Sequence, residues 1–400
     1  MKPIKITIQG SYLDCQIYRG WLYLWTFDGK LCVYRWSDLV DSLVENEADK
    51  LAFKFSFKDG NYLYKSSLME LFCDSDFMSL LRQKFQKIEN YRLQISEKHL
   101  KDFLIAEMDT PSNALPIDTE IYNSILYYST EEGLFKTNAH KKEGYPVSTK
   151  PSKIWDARVL SLKANRYPQM ALSAGDDGLY EIATGNNNDD FTGLTKVETN
   201  IHRVSELHSS FANYSNLSIY SSSLSGKSYL AMFNLTESVF GFNTAKRDYS
   251  KEIDSSEIFG EESDELSWGV DRKIFRVNKN GFNIVSFDNF NEDAMFTKRD
   301  GFKQSLKKSK IIGGASAYFG NIVEFENGLS VIQTDGQSLT INQPVTRWRI
   351  YPRSINYENQ LHVLLDNKME IYAFNHDYFI PQYNKLLGLD YREIDKRRNY

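Results

Sequence analysis

A short apolar pattern recurs along the chain at a nearly constant interval. The successive spacings between its copies are 101, 45, 60, 45, 45 and 42 residues. A constant period of about 40 to 45 residues indicates repeated four-stranded units. The recurring segments, of which VYRWS, IVSFD and IYAFN are examples, begin at Val33, Leu134, Leu179, Val239, Ile284, Leu329 and Ile371.

An acidic or amide residue followed by glycine precedes several of these segments. Glycine tolerates a positive φ, and a short polar side chain suits the residue before it in a tight turn. The pattern therefore predicts β-hairpins that lead into the recurring segments. The dipeptides are Asp28-Gly29, Glu132-Gly133, Asp177-Gly178, Asn280-Gly281 and Asn327-Gly328.

The longest interval contains a helical pattern. Phe77, Leu81, Phe85 and Ile88 recur at helical spacing behind candidate capping residues at positions 74 and 75. This predicts a small helical insertion near residues 74–90, which explains most of the excess length.

The two ends of the repeat array are expected to pair. The segment IKITIQG, residues 4–10, has no obvious strand before it. We interpret it as the outer strand of the last repeat, which removes exposed sheet edges. Residues 1–376 are then expected to form one domain, and residues 377–400 a C-terminal tail.

The recurring segments also carry a family resemblance. VYRWS, VFGFN, IVSFD and IYAFN place Trp or Phe before Ser, Asn or Asp. The third strand of a WD-repeat blade ends in a similar pattern, and Val159–Ile182 resembles its paired middle strands around SAGDDG. The resemblance implies an all-β fold, a single closed β-propeller of seven blades.

The chain departs from that pattern in two places. It has no Gly-His dipeptide, and its one Trp-Asp pair, Trp155-Asp156, stands before a strand instead of closing one. The resemblance is therefore to a divergent propeller. Six or eight blades, a solenoid and a two-domain β-sandwich remain alternatives at this stage.

The composition constrains which partners the protein can attract and in which cellular compartment it works. The 48 Lys and Arg against 53 Asp and Glu leave a net charge of -5, which provides no global attraction to nucleic acid or anionic membrane. Three cysteines without a CxxC spacing indicate reduced thiols. No signal peptide and no run of about 18 apolar residues is present, so we expect a cytoplasmic protein without membrane contact.

No local motif indicates a cofactor or a metal. His202 and His208 would lie about 20 Å apart on one strand, too far to share an ion. Asp176 and Asp177 could be imagined as an acid–base pair, but Asp before Gly is what a hairpin requires, so we interpret them as a turn. We therefore expect no cofactor, no metal and no catalytic residue.

The best interaction candidate is RWRIYPR, residues 347–353. Alternate residues of a strand share a face, and Arg and Tyr are enriched where protein surfaces bind strongly. An ordinary solvated strand face is the alternative. The candidate residues are Arg347, Arg349, Tyr351 and Arg353, with Trp348 and Ile350 pointing inward.

Two charged stretches are interpreted as loops. The acidic stretch at residues 252–266 is expected to be a mobile loop between blades, with docking of a basic partner as the alternative. The basic stretch at residues 297–310 is expected to be solvated, with phosphate contact as its alternative.

These features favour a non-enzymatic protein–protein interaction platform, a regulatory or scaffold subunit of a larger intracellular complex. Protein partners are expected, and nucleic acid is not favoured. One alternative is a ligand- or nucleic-acid-sensing accessory subunit of a bacterial multi-gene system, such as a defence module. Another is a propeller-type hydrolase or lyase with an active site at the channel mouth. The Lys-, Asn- and Tyr-rich composition suggests a bacterial source.

Overall fold

A computed structural model describes most of the chain. The described residues are 2–60, 71, 74–110, 114–139, 151–165, 169–184, 201–215, 218–224, 227–235, 247–263, 265–288, 295–303, 306, 309–354, 356–380 and 385–389.

Twenty-nine strands run through the described residues. The first fourteen are β1 (Ile4–Gln9), β2 (Tyr12–Tyr18), β3 (Trp21–Thr26), β4 (Lys30–Arg35), β5 (Leu93–Ile95), β6 (Leu104–Asp109), β7 (Asp118–Tyr122), β8 (Ile125–Thr130), β9 (Gly133–Asn138), β10 (Ser152–Trp155), β11 (Ser161–Ala164), β12 (Gln169–Ser173), β13 (Leu179–Ala183) and β14 (Ile201–Ser205). The other fifteen are β15 (Phe211–Ser215), β16 (Ser218–Ser222), β17 (Tyr229–Leu235), β18 (Arg247–Asp254), β19 (Ser267–Val270), β20 (Lys273–Asn278), β21 (Gly281–Phe287), β22 (Phe296–Lys303), β23 (Ile311–Ala317), β24 (Gly320–Phe325), β25 (Gly328–Gln333), β26 (Ser338–Ile341), β27 (Arg347–Ile350), β28 (Gln360–Leu365) and β29 (Lys368–Ala373).

These strands form seven sheets, and each sheet has a four-stranded unit. The strand orders are β2-β3-β4-β6, β7-β8-β9-β10, β11-β12-β13-β14, β15-β16-β17-β18, β19-β20-β21-β22, β23-β24-β25-β26 and β27-β28-β29-β1, the last extended by β5. One four-stranded sheet per repeat makes the fold an all-β, seven-bladed β-propeller. The prediction of seven blades, in place of six or eight, is confirmed.

The N-terminal strand completes the last sheet, as its sequence predicted. β1 pairs antiparallel with β29, with Ile6 opposite Ile371. A feature without a sequence signal lies on the other side of β1, where β5 pairs parallel to it and adds a fifth strand. β1 is therefore an internal strand and not the sheet edge.

The recurring segments occupy the third strand of their sheets where the structure describes them. β4, β9, β13, β21, β25 and β29 contain six of the seven predicted starting residues. Val239, the seventh, lies outside the described residues, and the third strand of that sheet is β17, which precedes it.

The predicted hairpin glycines also fall where expected. All five have positive φ and stand in the turn, or at the start of the strand, between the second and third strands. At Gly178, φ is +101°, and a Cβ would lie 2.2 Å from the carbonyl oxygen of Ser205. A Cβ at Gly133 would likewise lie 2.2 Å from the carbonyl oxygen of Trp155. At these two turns glycine therefore also allows the fourth strand to approach.

The helical insertion is larger than predicted. It runs from residue 36 to residue 103 and contains α1 (Trp36–Ser42), a 3₁₀ turn (Glu47–Asp49), α2 (Lys50–Phe57), α3 (Ser75–Ile88), β5 and α4 (Glu97–Lys101). The predicted helix is α3, whose first amides at Asp76 and Phe77 donate to the Asp74 carboxylate.

Both charged stretches contain regular structure, which corrects their interpretation as loops. The acidic stretch begins within β18 and continues into α5 (Ser255–Phe259), which Asp254 caps and which ends at Gly260 with φ of 74°. Ile258 and Phe259 are buried. The basic stretch begins within β22.

The chain divides into two compact units. The first comprises residues 1–115, 139–149 and 315–400, and the second residues 116–138 and 150–314. The main core of the first unit brings the isoleucines of β1 together with aromatic residues of the insertion, including Trp36, Phe53 and Phe85. In the second unit, apolar residues of successive sheets pack in separate clusters.

Part of the predicted C-terminal tail is ordered on the first unit. Leu387 and Leu389 are buried, and the amide of Leu389 donates to the carbonyl of Ala317 at 3.1 Å. The domain boundary after residue 376 stays a prediction.

Candidate functional site

The predicted interaction strand is β27, and its two arginines turn toward Asp14 on β2. Asp14 is fully buried. Arg349 donates to it twice, from Nε to Oδ1 at 2.9 Å and from Nη2 to Oδ2 at 2.6 Å. Arg347 adds a contact from Nη1 to Oδ2 at 3.3 Å. The carboxylate thus links two neighbouring sheets of the first unit through a forked, charge-assisted contact.

The arginine side chains are only partly accessible. The exposed fraction is 24% for Arg347 and 15% for Arg349, while Arg353 beyond the strand end is exposed. On the opposite face, Trp348 and Ile350 pack against a core cluster, as predicted. An interaction role for this face stays a prediction, but the two arginines in the strand already share an internal anion.

Tyr351 belongs to a second polar group, next to the first. Its hydroxyl lies 3.3 Å from Nδ1 of His362 and 3.9 Å from Sγ of Cys15. The Cys15 sulfur lies 3.9 Å from the same histidine nitrogen. A thiol, a phenol and an imidazole therefore meet where β2, β27 and β28 approach one another.

The histidine continues this group toward the helical insertion. Its Nε2 lies 3.0 Å from Oε1 of Gln360, and Nε2 of Gln360 donates to the Ser56 carbonyl at 3.2 Å. Asn375, from the segment IYAFN, donates to the Ser56 hydroxyl at 2.8 Å. The polar chain thus holds α2 on the last sheet.

The electrostatics of this group argue against nucleophilic catalysis. Burial, reinforced by the neighbouring Asp14 charge, raises the pKa of the Cys15 thiol. Burial also lowers the pKa of His362 to about 3. A reactive cysteine requires a thiolate, usually beside a cation, whereas both groups are neutral near pH 7. The Cys–His contact is therefore a structural one.

Sequence reasoning missed Asp14, Cys15 and His362. A signal for Asp14 was present, because residues 14–29 align without a gap to residues 118–133 and place Asp118 at the same position. Both aspartates are buried, and each accepts the amide of the next residue. Asp118 also accepts the Leu162 amide of the adjoining sheet at 2.6 Å. The aspartate at this position therefore links its own sheet to a neighbouring sheet in both repeats.

No cluster of three or more His, Cys, Asp or Glu side chains among the described residues is arranged to bind a metal ion. None of the helices found in that part of the chain is both long and apolar enough to cross a membrane.

Comparison with known proteins assigns this chain to no family. No family model matches the chain, and no curated protein matches it. Among solved structures it is similar to BamB from Moraxella catarrhalis, with 12% identity over 89% of this chain and 80% of that one and a TM-score of 0.40. It is also similar to Hsv2 from Kluyveromyces lactis, with 14% identity, coverage of 69% and 78%, and a TM-score of 0.39. A third similar structure is the computationally designed protein Ika8, with 9% identity, coverage of 94% and 100%, and a TM-score of 0.42.

Proposed function

We propose that this protein is an interaction platform, a scaffold or regulatory subunit that contacts its partner through the helical insertion of residues 36–103. The observation that carries the proposal is the exposure of large apolar side chains there. Ten such side chains are exposed among the described residues, and four of them, Leu51, Leu71, Leu80 and Tyr91, lie in this insertion. A contiguous exposed apolar patch marks a site of protein contact, and we propose that these side chains contribute to one.

The insertion presents these side chains from a fixed base. The Trp36 indole donates to the Phe57 carbonyl at 2.7 Å, joining α1 to the end of α2. Lys87 of α3 contacts both oxygens of the buried Asp49, at 2.6 and 2.8 Å. Because the helices are tied to one another and to β1 through β5, a partner would meet a preformed surface and lose little binding energy to ordering it.

Nucleic acid recognition is less well supported at the predicted arginines. Arg347 and Arg349 contact the Asp14 carboxylate, so binding a phosphate there would compete with an internal anion. We therefore favour protein over nucleic acid as the partner, and we place the complex in the cytoplasm of a bacterial cell as part of the same proposal.

The test compares proteins that co-purify with the full-length chain from its native host. We expect one protein at fixed stoichiometry with the wild type, and its loss when Leu51 and Leu80 are both changed to Glu. Leu115→Glu, at an exposed leucine outside the insertion, is the matched control and should retain the partner. Recovery of the same set with all three chains, or of no stoichiometric partner, would contradict the proposal.

A further inference from the structure

Three polar side chains of the second unit form a hydrogen-bonded chain at the surface. Nδ1 of His208 is 2.6 Å from Oδ1 of Asp176, and Nε2 of the same ring is 3.0 Å from Oγ of Ser210. An acid, an imidazole and a hydroxyl joined through the two ring nitrogens form the constellation that activates a serine nucleophile.

The backbone holds the three residues in place. Gly175 and Ser209 exchange two amide-to-carbonyl hydrogen bonds of 2.9 and 3.0 Å, which fix the turn carrying Asp176 against the segment carrying the other two. The Ser210 amide donates to the Ser222 carbonyl at 3.0 Å, at the start of the β15–β16 pairing. The arrangement therefore rests on sheet pairing and not on side-chain contacts alone.

The contacts are compatible with the tautomer that a general base needs. The Leu224 amide donates to Oγ of Ser210 at 3.1 Å, and the Ser210 hydroxyl can direct its hydrogen to Nε2 of His208 while Asp176 accepts from Nδ1. An imidazole in that tautomer is the form that takes a proton from serine.

We propose that Ser210, His208 and Asp176 form a hydrolytic site for activated carboxylic esters with a short apolar acyl group. The exposed side chains of Leu207 and Leu224 flank the site and offer apolar contact to the acyl chain. The site would be a second activity beside the platform role, and it does not depend on the insertion. The proposal departs from the expectation, drawn from the sequence, that the chain carries no catalytic residue.

The reaction proceeds in two balanced steps. Oγ of Ser210 bonds to the ester carbonyl carbon while its proton passes to Nε2 of His208; the bond to the leaving alcohol breaks, and that proton goes to the alcohol oxygen. Water then attacks the acyl-serine and gives its proton to Nε2. The acyl–Oγ bond breaks, the acid leaves, and the proton returns to Ser210.

Solvent access limits the substrate. The Asp176 side chain is 99% exposed and that of His208 26% exposed, so the acid–imidazole contact acts in a high dielectric. The acid–imidazole contact therefore stabilises the transition state less than it would in a closed site. Unactivated esters and amides should not react. Esters with a good leaving group, such as a nitrophenolate, are the expected substrates.

The test uses the purified full-length chain with p-nitrophenyl butyrate, and labelling by a fluorophosphonate with mass-spectrometric mapping. We expect release of p-nitrophenolate above the buffer rate, a loss of at least tenfold in Ser210→Ala and His208→Gln, and a smaller loss in Asp176→Asn. His202→Gln, at a surface histidine beside Glu181, is the matched control and should keep the wild-type rate.

Labelling of the wild-type chain does not depend on whether a variant folds. Modification at Ser210 supports the proposal. Modification elsewhere with Ser210 unlabelled, hydrolysis no faster than in buffer, or an unchanged rate in a folded Ser210→Ala chain would each overturn it.

Discussion

Asp14 is a buried charge whose partners come from another sheet. Removing a carboxylate from water costs several kcal/mol, and the cost is recovered only with good geometry and further hydrogen bonds. Here the forked contact from Arg349, the contact from Arg347 and the Cys15 amide provide both. The group therefore specifies how β2 and β27 meet, and its energetic value depends on all members being present.

Removing both partners of this pair should cost less than the sum of the two single removals. Asp14→Asn is expected to lower the free energy of unfolding by about 3 kcal/mol, because Arg349 loses its counter-charge. The double variant Asp14→Asn/Arg349→Met should lose less than the sum of the two single changes, by about 1 to 3 kcal/mol. Denaturant titration of the four chains measures this coupling.

The control is the surface pair of Lys30 and Glu107, whose side chains are both well exposed. Glu107→Gln should change stability far less than Asp14→Asn, because solvent screens an exposed pair. Strict additivity of the two buried changes would contradict the role given to Asp14.

His362 makes stability depend on pH. Its folded pKa of about 3 lies below the unfolded value of 6.5, so between these values the unfolded state binds the extra proton. Stability is therefore lost as pH falls below about 6.5, by at most about 1.4 kcal/mol per pH unit. His362→Gln should flatten the dependence between pH 5 and 6.5, where ordinary carboxylates hardly titrate.

Unfolding titrations at pH 5, 6 and 7 measure this slope for both chains. Parallel curves for the wild type and His362→Gln would show that the histidine is accessible to protons in the folded state. His202→Gln, at an exposed surface histidine, serves as the control for the loss of an imidazole as such.

At the scale of the strand and turn, glycine allows the hairpin between the second and third strands of a sheet to form close to the fourth strand. Gly133 and Gly178 combine positive φ with a carbonyl oxygen of the fourth strand that leaves no space for a Cβ. A side chain there would strain the hairpin and push the outer strand away. The acidic or amide residue before the glycine serves the turn alone.

Gly178→Ala should therefore destabilise the protein by about 2 kcal/mol or more, since it adds both backbone strain and a steric clash. Asp177→Ala, one residue earlier, is the control and should have a much smaller effect because its side chain is exposed. Thermal unfolding of both variants measures the difference. Equal destabilisation would mean that the turn tolerates a Cβ at position 178.

The elements that the sequence predicted are those with a recognisable pattern. The hairpin glycines and α3 have it in neighbouring residues, and the pairing of β1 with the last sheet follows from the repeat period; the structure confirms them. β5 is three residues long and pairs across the chain with β1, so its local pattern was too short to indicate a strand. The inward turn of Arg349 was missed for the same reason, because its partner lies 335 positions away.

At the scale of the whole chain, β1 joins the beginning of the sequence to its end. Ile4, Ile6 and Ile8 are all essentially buried. They pack in the core cluster that also contains helices of the insertion. Full burial of such a side chain contributes about 1.5 to 3 kcal/mol. That is a large amount beside a domain's net stability of about 5 to 15 kcal/mol, so loss of the strand should destabilise the fold strongly.

A chain that begins at residue 10 should unfold at a much lower temperature than the intact chain. A synthetic peptide of residues 2–11 should restore stability in a concentration-dependent way, because it can add between β29 and β5 by strand pairing. The same peptide with Ile6→Asp is the control and should not. Equal melting temperatures for the shortened and intact chains would contradict this role of β1.

The parallel pairing of β1 with β5 also affects the order of events during synthesis. β29 leaves the ribosome more than 350 residues after β1, and until then the edge of β1 that will face it has no partner. β5 lies much nearer to β1 in the sequence than β29 does, so it can cover the opposite edge earlier. We therefore expect the insertion to hold the N-terminal strand and to protect one of its two edges while the rest of the chain is made.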